Sequence, residues 1–437
     1  MAGDFGSTAG RYGAVPNMIG DFLGTSPGTS TISKNFFFRA QGQILTETPP
    51  GAPDGSIGFT VGNSTSFDFY SVGLGADRLP PSPQADTFQV TQPGPGSSFV
   101  LPPPPNGFAN AGGVAQNPTG TYDNFDFWDV VFSQTAEVVI PGPGGLVVGR
   151  MKLAENVSPL PRDRVFFNYS FFDNVPLRNP GINMSRYTPG FEKTFFNEMT
   201  SFELRAPFAS TLDSQFAADT VPGSGHAEFG DVFMAFKALV CGGATWDVSG
   251  GLSLTLPTAD NTIVGLSDGT ELVKFENKSV HVMPFVGGLW TPSDRFFAQG
   301  FVQVDIDANG DPVYLNQYGT GLLPAGRMQE TNFLYADLGI GYWMYRAGEF
   351  DNRPITGIAP TLEIHHNASL QSADVIRSGA FQIGQEYENV QMTDLVAGAT
   401  VEWKMHSTLT AGYVIPVGDS NDQQFDGELR LFWNRWF

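Results

Sequence analysis

The run Asp305-Ile306-Asp307-Ala308-Asn309-Gly310-Asp311 carries side-chain oxygens at alternate positions and a glycine where the backbone must bend. A hard cation such as calcium needs that donor set. The bidentate glutamate that would complete such a loop is missing, because Asn316 stands in its place, and an ordinary Asx-rich turn uses the same residue types. Asp305, Asp307, Asn309 and Asp311 are thus a candidate calcium set in an external loop, with the plain turn as the simpler reading. Glu363 and His365 lie two apart, the spacing that puts two side chains on one face of a strand, while His366 points the other way. Metal or acid–base work by this pair would need further partners; lining a polar interior needs none. No phosphate-cradling loop and no zinc-ligand spacing occur in the chain. Neither an enzyme activity nor any other cofactor is expected.

These residues sit in a chain of 437 residues with 15% charged and 13% aromatic residues, among them 38 Phe, 52 Gly and 32 Pro. Frequent turns and few helix formers follow from such a mixture. No run approaches the roughly 20 apolar residues a membrane helix needs. The chain therefore stays in water or crosses a membrane as strands. A net charge of −21 argues against nucleic acid as a partner. The single cysteine, Cys241, excludes an internal disulfide framework. Met1 is followed by no basic region and no apolar core, so the start does not read as a secretory signal.

Two zones differ in character. Residues 1–145 are rich in Gly, Pro, Ser and Thr and include the polyproline stretch Pro102–Pro105. This zone reads as an irregular plug, periplasmic segment or surface extension. Residues 146–437 form segments of two-residue periodicity separated by turn signals. In Thr245–Leu256, Trp246, Val248, Leu252, Leu254 and Leu256 share one face, opposite Asp247, Ser249, Ser253 and Thr255. Phe296–Ile306, Leu334–Met344, Thr393–Trp403 and Leu409–Ile415 repeat the pattern. Segments of about ten residues exceed the usual soluble strand and match a tilted membrane strand. Their apolar faces end in aromatics such as Trp246, Tyr342 and Trp403, as interfacial girdles require.

The fold class is therefore all-β: a transmembrane antiparallel barrel. Segments near 146–154, 163–173, 194–206, 230–240, 245–256, 279–290, 295–306, 332–344, 357–367, 391–404, 407–416 and 425–437 give about twelve strands, and a pair from 35–45 and 66–74 would make about fourteen. Connections 257–278, 307–331 and 368–390 are long, whereas those at 241–244, 291–294 and 405–406 are short. One stretch, 174–193, is too long for the tight turn expected there, so either an element is missed or the first strands are miscounted.

The last strand ends the chain. Leu429, Leu431, Trp433 and Phe437 share a face. This resembles the terminal signature of bacterial outer-membrane proteins, in which a final Phe and alternating apolar residues are read by the assembly machinery; Arg435 departs from that pattern. The porin-like resemblance covers roughly the C-terminal two-thirds. It implies a bacterial outer-membrane location, lipid and the barrel-assembly machinery as partners, and small solutes as cargo; homo-oligomers are compatible with it.

By parity the lumen is lined by Arg150, Lys152, Arg164, Glu203, Arg205, Asp231, Lys237, Asp247, His281, Asp305, Asp337, Glu363, His365, Asp394, Glu402, Glu428 and Arg430. The basic members lie mostly on the first strands and the last, which become neighbours on closure. A basic wall and an acidic wall should then face each other. The expected function is a porin-like channel for passive diffusion with a modest cation preference. Two alternatives stand beside it. One is a structural or surface-interaction protein with a sealed lumen. The other is a transporter of hydrophobic compounds, plugged by the apolar island Val15–Leu23 and lined by Phe166, Phe233, Phe285, Phe297 and Phe301.

Overall fold

The computed structural model describes residues 15–21, most of 150–437, and only strand backbones between 30 and 140. Twelve strands close into one antiparallel barrel. They are β1 Arg164–Val175, β2 Ile182–Phe195, β3 Thr200–Arg205, β4 Val232–Gly242, β5 Trp246–Leu256 and β6 His281–Trp290, followed by β7 Phe296–Asp307, β8 Phe333–Tyr342, β9 Ile355–Ser369, β10 Gln391–Trp403, β11 Ser407–Val417 and β12 Gly427–Trp436. Each pairs with its sequence neighbour, and β12 closes on β1 with Leu431 opposite Tyr169 and Trp433 opposite Phe167. Closure removes every unpaired sheet edge, the requirement for backbone inside hydrocarbon.

The outer face carries the apolar parity. Val302, Leu338, Leu362, Leu409 and Leu431 are exposed, as are the aromatics Trp246, Trp290, Tyr342, Trp403 and Trp433 near the tight turns. Exposed rows of large apolar side chains cannot face water around a whole barrel without aggregation; a lipid belt with an aromatic girdle is what accommodates them. The tight turns, such as 243–245 and 404–406, gather at the end that holds Arg164 and Phe437, the end that in outer-membrane barrels faces the periplasm.

The opposite end carries the long connections, whose described residues form further strands. Phe208–Leu212 and Ser224–Phe229 extend the β3–β4 hairpin outward. Gln215–Ala217, Thr262–Gly265, Glu271–Phe275, Asp311–Leu315 and Leu323–Met328 form a separate five-stranded sheet. Its core is Val264, Val273, Phe275, Val313 and Leu315, joined by Ile376 and Ile383 of the β9–β10 loop. Ser30–Gln41 pairs along its length with Asp129–Ile140, and its Ser33 lines up with Gln382 of that same loop. The segments 35–45 and 66–74 thus contribute strands to an additional sheet and not to the barrel wall.

The strand count agrees with the sequence, but two elements exchange places. Residues 150–154 are not a wall strand; they run inside the barrel, and the wall begins at Arg164. The missing strand is β2, within the stretch that seemed too long for a turn. Its parity is muted because Ile182 and Met184 face inward while Asn183 and Ser185 face out, and Pro189-Gly190 reads as a turn.

Candidate functional site

Two segments of the chain occupy the lumen side by side. Residues 15–21 and 151–158 are buried throughout, and the Met18 N–H donates to the Val157 carbonyl at 2.9 Å. Val15 packs with Leu289, Phe297 and Trp343 near the periplasmic turns, whereas Asp21 lies among residues further up β8 and β9. The first segment therefore climbs the lumen. The second descends, from Arg150 beside Asp305 of β7 to Lys237 of β4 beside Ser158. Gly20 has φ 77°, and a Cβ there would lie 2.8 Å from Glu155 Cα, so only glycine lets the two backbones approach.

Apolar contacts fix the middle of this plug. Met18, Met151, Leu153 and Val157 form one cluster with Phe233, Phe285 and Phe301 of the wall. Ile19 lies over Gly398 of β10 and Gly412 of β11, where a Cβ would come within 2.4 and 2.9 Å of its side chain. Small residues on the wall thus form a notch that the isoleucine fills.

Charge fixes its orientation. Arg430, Arg164, Arg186, Arg205 and Lys237 stand on β12, β1, β2, β3 and β4, which are consecutive around the wall. Asp305, Asp337, Glu363 and Asp394 stand on β7 to β10. The two walls expected from the sequence are present, although Glu192, Glu203 and Glu428 also lie on the basic side. The plug is complementary to both. Lys152 Nζ contacts Asp337 at 2.9 Å and donates to Asn367 at 2.7 Å. It also pairs with Asp21, the end of the first segment. Arg150 reaches Asp305 at 3.3 Å and pairs with Glu330. On the other side Glu155 accepts from Arg186 at 2.7 Å. Arg205 donates to the Lys152 and Leu153 carbonyls at 2.8 and 3.1 Å, Arg164 to the Asn156 carbonyl at 2.6 Å, and Lys237 to the Ser158 carbonyl at 2.7 Å.

Glu363 grips the first segment by its backbone. Its two oxygens accept the N–H groups of Ile19 and Gly20 at 2.7 and 2.8 Å, and Arg430 donates to the Ile19 carbonyl at 3.0 Å. His365 lies between Glu363 at 2.9 Å and Asp337 at 2.7 Å, with Asp21 at 3.4 Å. Asp21, Asp337 and His365 converge as metal ligands would, but the Lys152 ammonium already contacts both carboxylates.

Asp247 is buried near the periplasmic turn, and one of its oxygens has no partner among the described residues. Glu402 is buried and accepts from Thr356 at 3.0 Å. Asp231 is not a lumen residue: it follows Gly230 between strands and accepts the N–H groups of Thr258 and Ala259 at 2.8 and 2.9 Å, tying two external loops. Strand parity fails there because β4 begins only at Val232. Arg150 and Lys152 do lie in the lumen, but on the plug and not on the wall.

Of the calcium candidates, Asp305 turns into the lumen toward His281, Arg150 and Tyr335. Asp307 accepts the N–H groups of Asn309, Gly310 and Glu330, and Asp311 those of Lys278 and Ser279. Asn309 accepts from Val280 and donates to the Lys278 carbonyl. The run acts as a clamp between the β5–β6 and β7–β8 loops. Burial, with the Glu330 carboxylate nearby, pushes Asp311 up to about 7.

Sequence reasoning missed several of these positions. Asp21, Glu155, Arg186, Glu192 and Asn367 belong to the lumen network. The signal for Glu192 and Arg186 was their shared parity on β2, hidden by the unrecognised strand. On the last strand, Leu429, Leu431, Trp433 and Phe437 lie on the outer face.

No protein-family model and no curated protein matches the sequence. Among solved structures the chain is similar to the NanC porin (8% identity, TM-score 0.35, covering 63% of this chain and 99% of that one). It is similar also to the β domain of the Bordetella autotransporter BrkA (13%, 0.40, 63% and 99%). A third is an outer-membrane channel from Pseudomonas putida F1 (11%, 0.39, 64% and 97%). By its closed twelve-strand wall, its apolar outer belt and its exposed aromatics near the tight turns, the chain has the fold of a membrane-spanning β-barrel, with two of its own segments inside.

Proposed function

We propose that this protein is a plugged outer-membrane channel for small solutes, closed at rest by residues 15–21 and 151–158 and opened when the first of these leaves its seat. The observation that carries the reading is the bond from Glu363 to the Ile19 and Gly20 N–H groups, together with the Ile19 notch. A segment held by a few bonds to the wall, and taking no part in its β-ladder, can be withdrawn without unfolding the barrel. The second segment leads directly into β1 and stays. With the first withdrawn, Glu363 would lose the Ile19 and Gly20 N–H groups it accepts, and the exposed acidic wall would give a modest cation preference.

The passage of hydrophobic compounds is a second reading, favoured by Phe233, Phe285 and Phe301 around Met18. The lock argues for the first, because ionised groups surround the seat. We propose too that the outer face of Leu429, Leu431, Trp433 and Phe437 is read by the assembly machinery; deleting Phe437 should then lower folded protein in the membrane.

Single-channel recording in a planar bilayer tests the main reading. The full chain should be mostly closed, and a chain lacking residues 1–21 should conduct, with a reversal potential of cation sign in a salt gradient. A full chain that is steadily open, or a shortened chain that is folded and silent, would overturn it. The silent result would favour the sealed structural protein.

A further inference from the structure

On the external extension of the β3–β4 hairpin, Asp213, His226 and Glu228 bring one ligand atom each to within 4.8 Å of one another. The strand geometry fixes this grouping. His226 and Glu228 are two apart on Ser224–Phe229, so they share a face, and His226 lies opposite Thr211 in the register. Asp213 follows Leu212, directly after the partner strand, and its Oδ2 is 3.3 Å from His226 Nε2.

The charge balance is unusual for a surface. Glu228 is 8% exposed, and one of its oxygens accepts the Ser214 N–H at 3.0 Å. Asp213 and Asp260 both lie near enough to repel it. Among the described residues no lysine or arginine pairs with Asp213 or Glu228, and the His226 imidazole stands against Asp213. Two carboxylates facing an imidazole, one of them buried, are short of a cation. We propose that Asp213, His226 and Glu228 bind a divalent transition cation of the zinc class on the external face of the barrel.

The donor set selects the metal. Imidazole nitrogen with two carboxylate oxygens suits zinc, nickel or copper, and calcium prefers all-oxygen sites. A tetrahedral zinc with bonds of 2.0–2.2 Å would hold its ligand atoms about 3.4 Å apart. Closing from the present spacing needs movement of Asp213 and His226 only, whose side chains are 36% and 60% exposed. Water would fill the fourth position, leaving the ion open to a further ligand. The proposal is independent of the plug, so its failure leaves the channel reading untouched.

The test is calorimetric titration of the purified full-length barrel with ZnCl2, with CaCl2 as comparison. One zinc per chain should bind, and calcium at least tenfold more weakly. His226→Ala and Glu228→Gln should each weaken zinc binding at least tenfold. His406→Ala, at an exposed periplasmic turn, should change nothing. Copper bound in place of zinc should show nitrogen hyperfine coupling that disappears in His226→Ala. Zinc binding unchanged in folded His226→Ala, or no binding at all, would overturn the proposal; the first outcome would direct attention to the internal Asp21, Asp337 and His365.

Discussion

Glu363 of β9 accepts the backbone N–H of Ile19 at 2.7 Å, a bond between the wall of the barrel and a residue 344 positions earlier in the chain. A carboxylate directed at backbone N–H groups holds a segment whatever its side chains are. Side-chain fit then comes from the notch at Gly398 and Gly412. The two together explain how a short, loosely patterned segment acquires one seat inside a closed sheet.

Lys152 is the charge centre of the seat. It is 1% exposed and contacts Asp21, Asp337 and Asn367. Lys152→Met leaves those two carboxylates without their ammonium, and breaking a buried pair in this way costs about 3–5 kcal/mol. Part of that cost is relieved if Asp21 leaves the lumen. The variant should therefore unfold at a lower temperature in a heat-modifiability assay and open more often in a bilayer. Unchanged behaviour in both would deny Lys152 this role.

Gly412 tests the notch. A Cβ at this position would lie 2.9 Å from Ile19 Cγ2, so Gly412→Val overpacks the seat at a cost of about 1–3 kcal/mol. Removing the isoleucine side chain should restore room. The double variant Ile19→Ala/Gly412→Val is expected to be more stable, and more often closed, than Gly412→Val alone. Strict additivity of the two changes would show that these residues do not meet.

Leu338 tests the membrane register. It is 55% exposed on the outer face, next to buried Asp337. Leu338→Arg should cost about 2–4 kcal/mol if the site is mid-membrane. Water-soluble thiol reagents should not reach a cysteine at 338 in the Cys241→Ser background. Ready labelling there would mean that the outer face is wrongly assigned.

Much of this architecture was legible. Strong alternation marks β5, β7, β8, β10 and β11 because their outer faces must be apolar for lipid and their inner faces must not be. The inner charges were legible for the same reason. Of the plug, the island Val15–Leu23 stood out as a candidate, and residues 15–21 do lie in the lumen; the second segment was hidden because Met151, Lys152, Leu153, Ala154 and Glu155, all buried, alternate in type as a wall strand would. Nothing local pairs Lys152 with Asp21 or Asp337, whose partnership depends on barrel closure. The strand β2 was hidden by its inward Ile182 and Met184, which face the buried cluster at the external end and not lipid.

The external clamp should respond to pH. Burial and the nearby Glu330 raise Asp311 from 3.8 to about 7 in the folded protein. An acid whose pKa is raised by folding favours the folded state while it is protonated, and that contribution is lost as pH rises from about 4 to about 7. The loops around 278–279 and 311 should therefore resist an external protease better at pH 5 than at pH 8. Asp311→Asn keeps an acceptor for the Lys278 and Ser279 N–H groups and removes the titration, so its protection should be level across this range. A wild-type profile that improves with pH would reverse the assignment.

The central claim is that residues 15–21 close the lumen and leave it for conduction. Cysteines at Ile19 and Gly412, in the Cys241→Ser background, would tie the segment to its seat by a disulfide. The measurement is single-channel conductance of the oxidised protein, followed by reduction on the same bilayer. No openings are expected while the disulfide is intact, and reduction should restore them. Equal conductance before and after reduction, with the cross-link confirmed by mass, would contradict it.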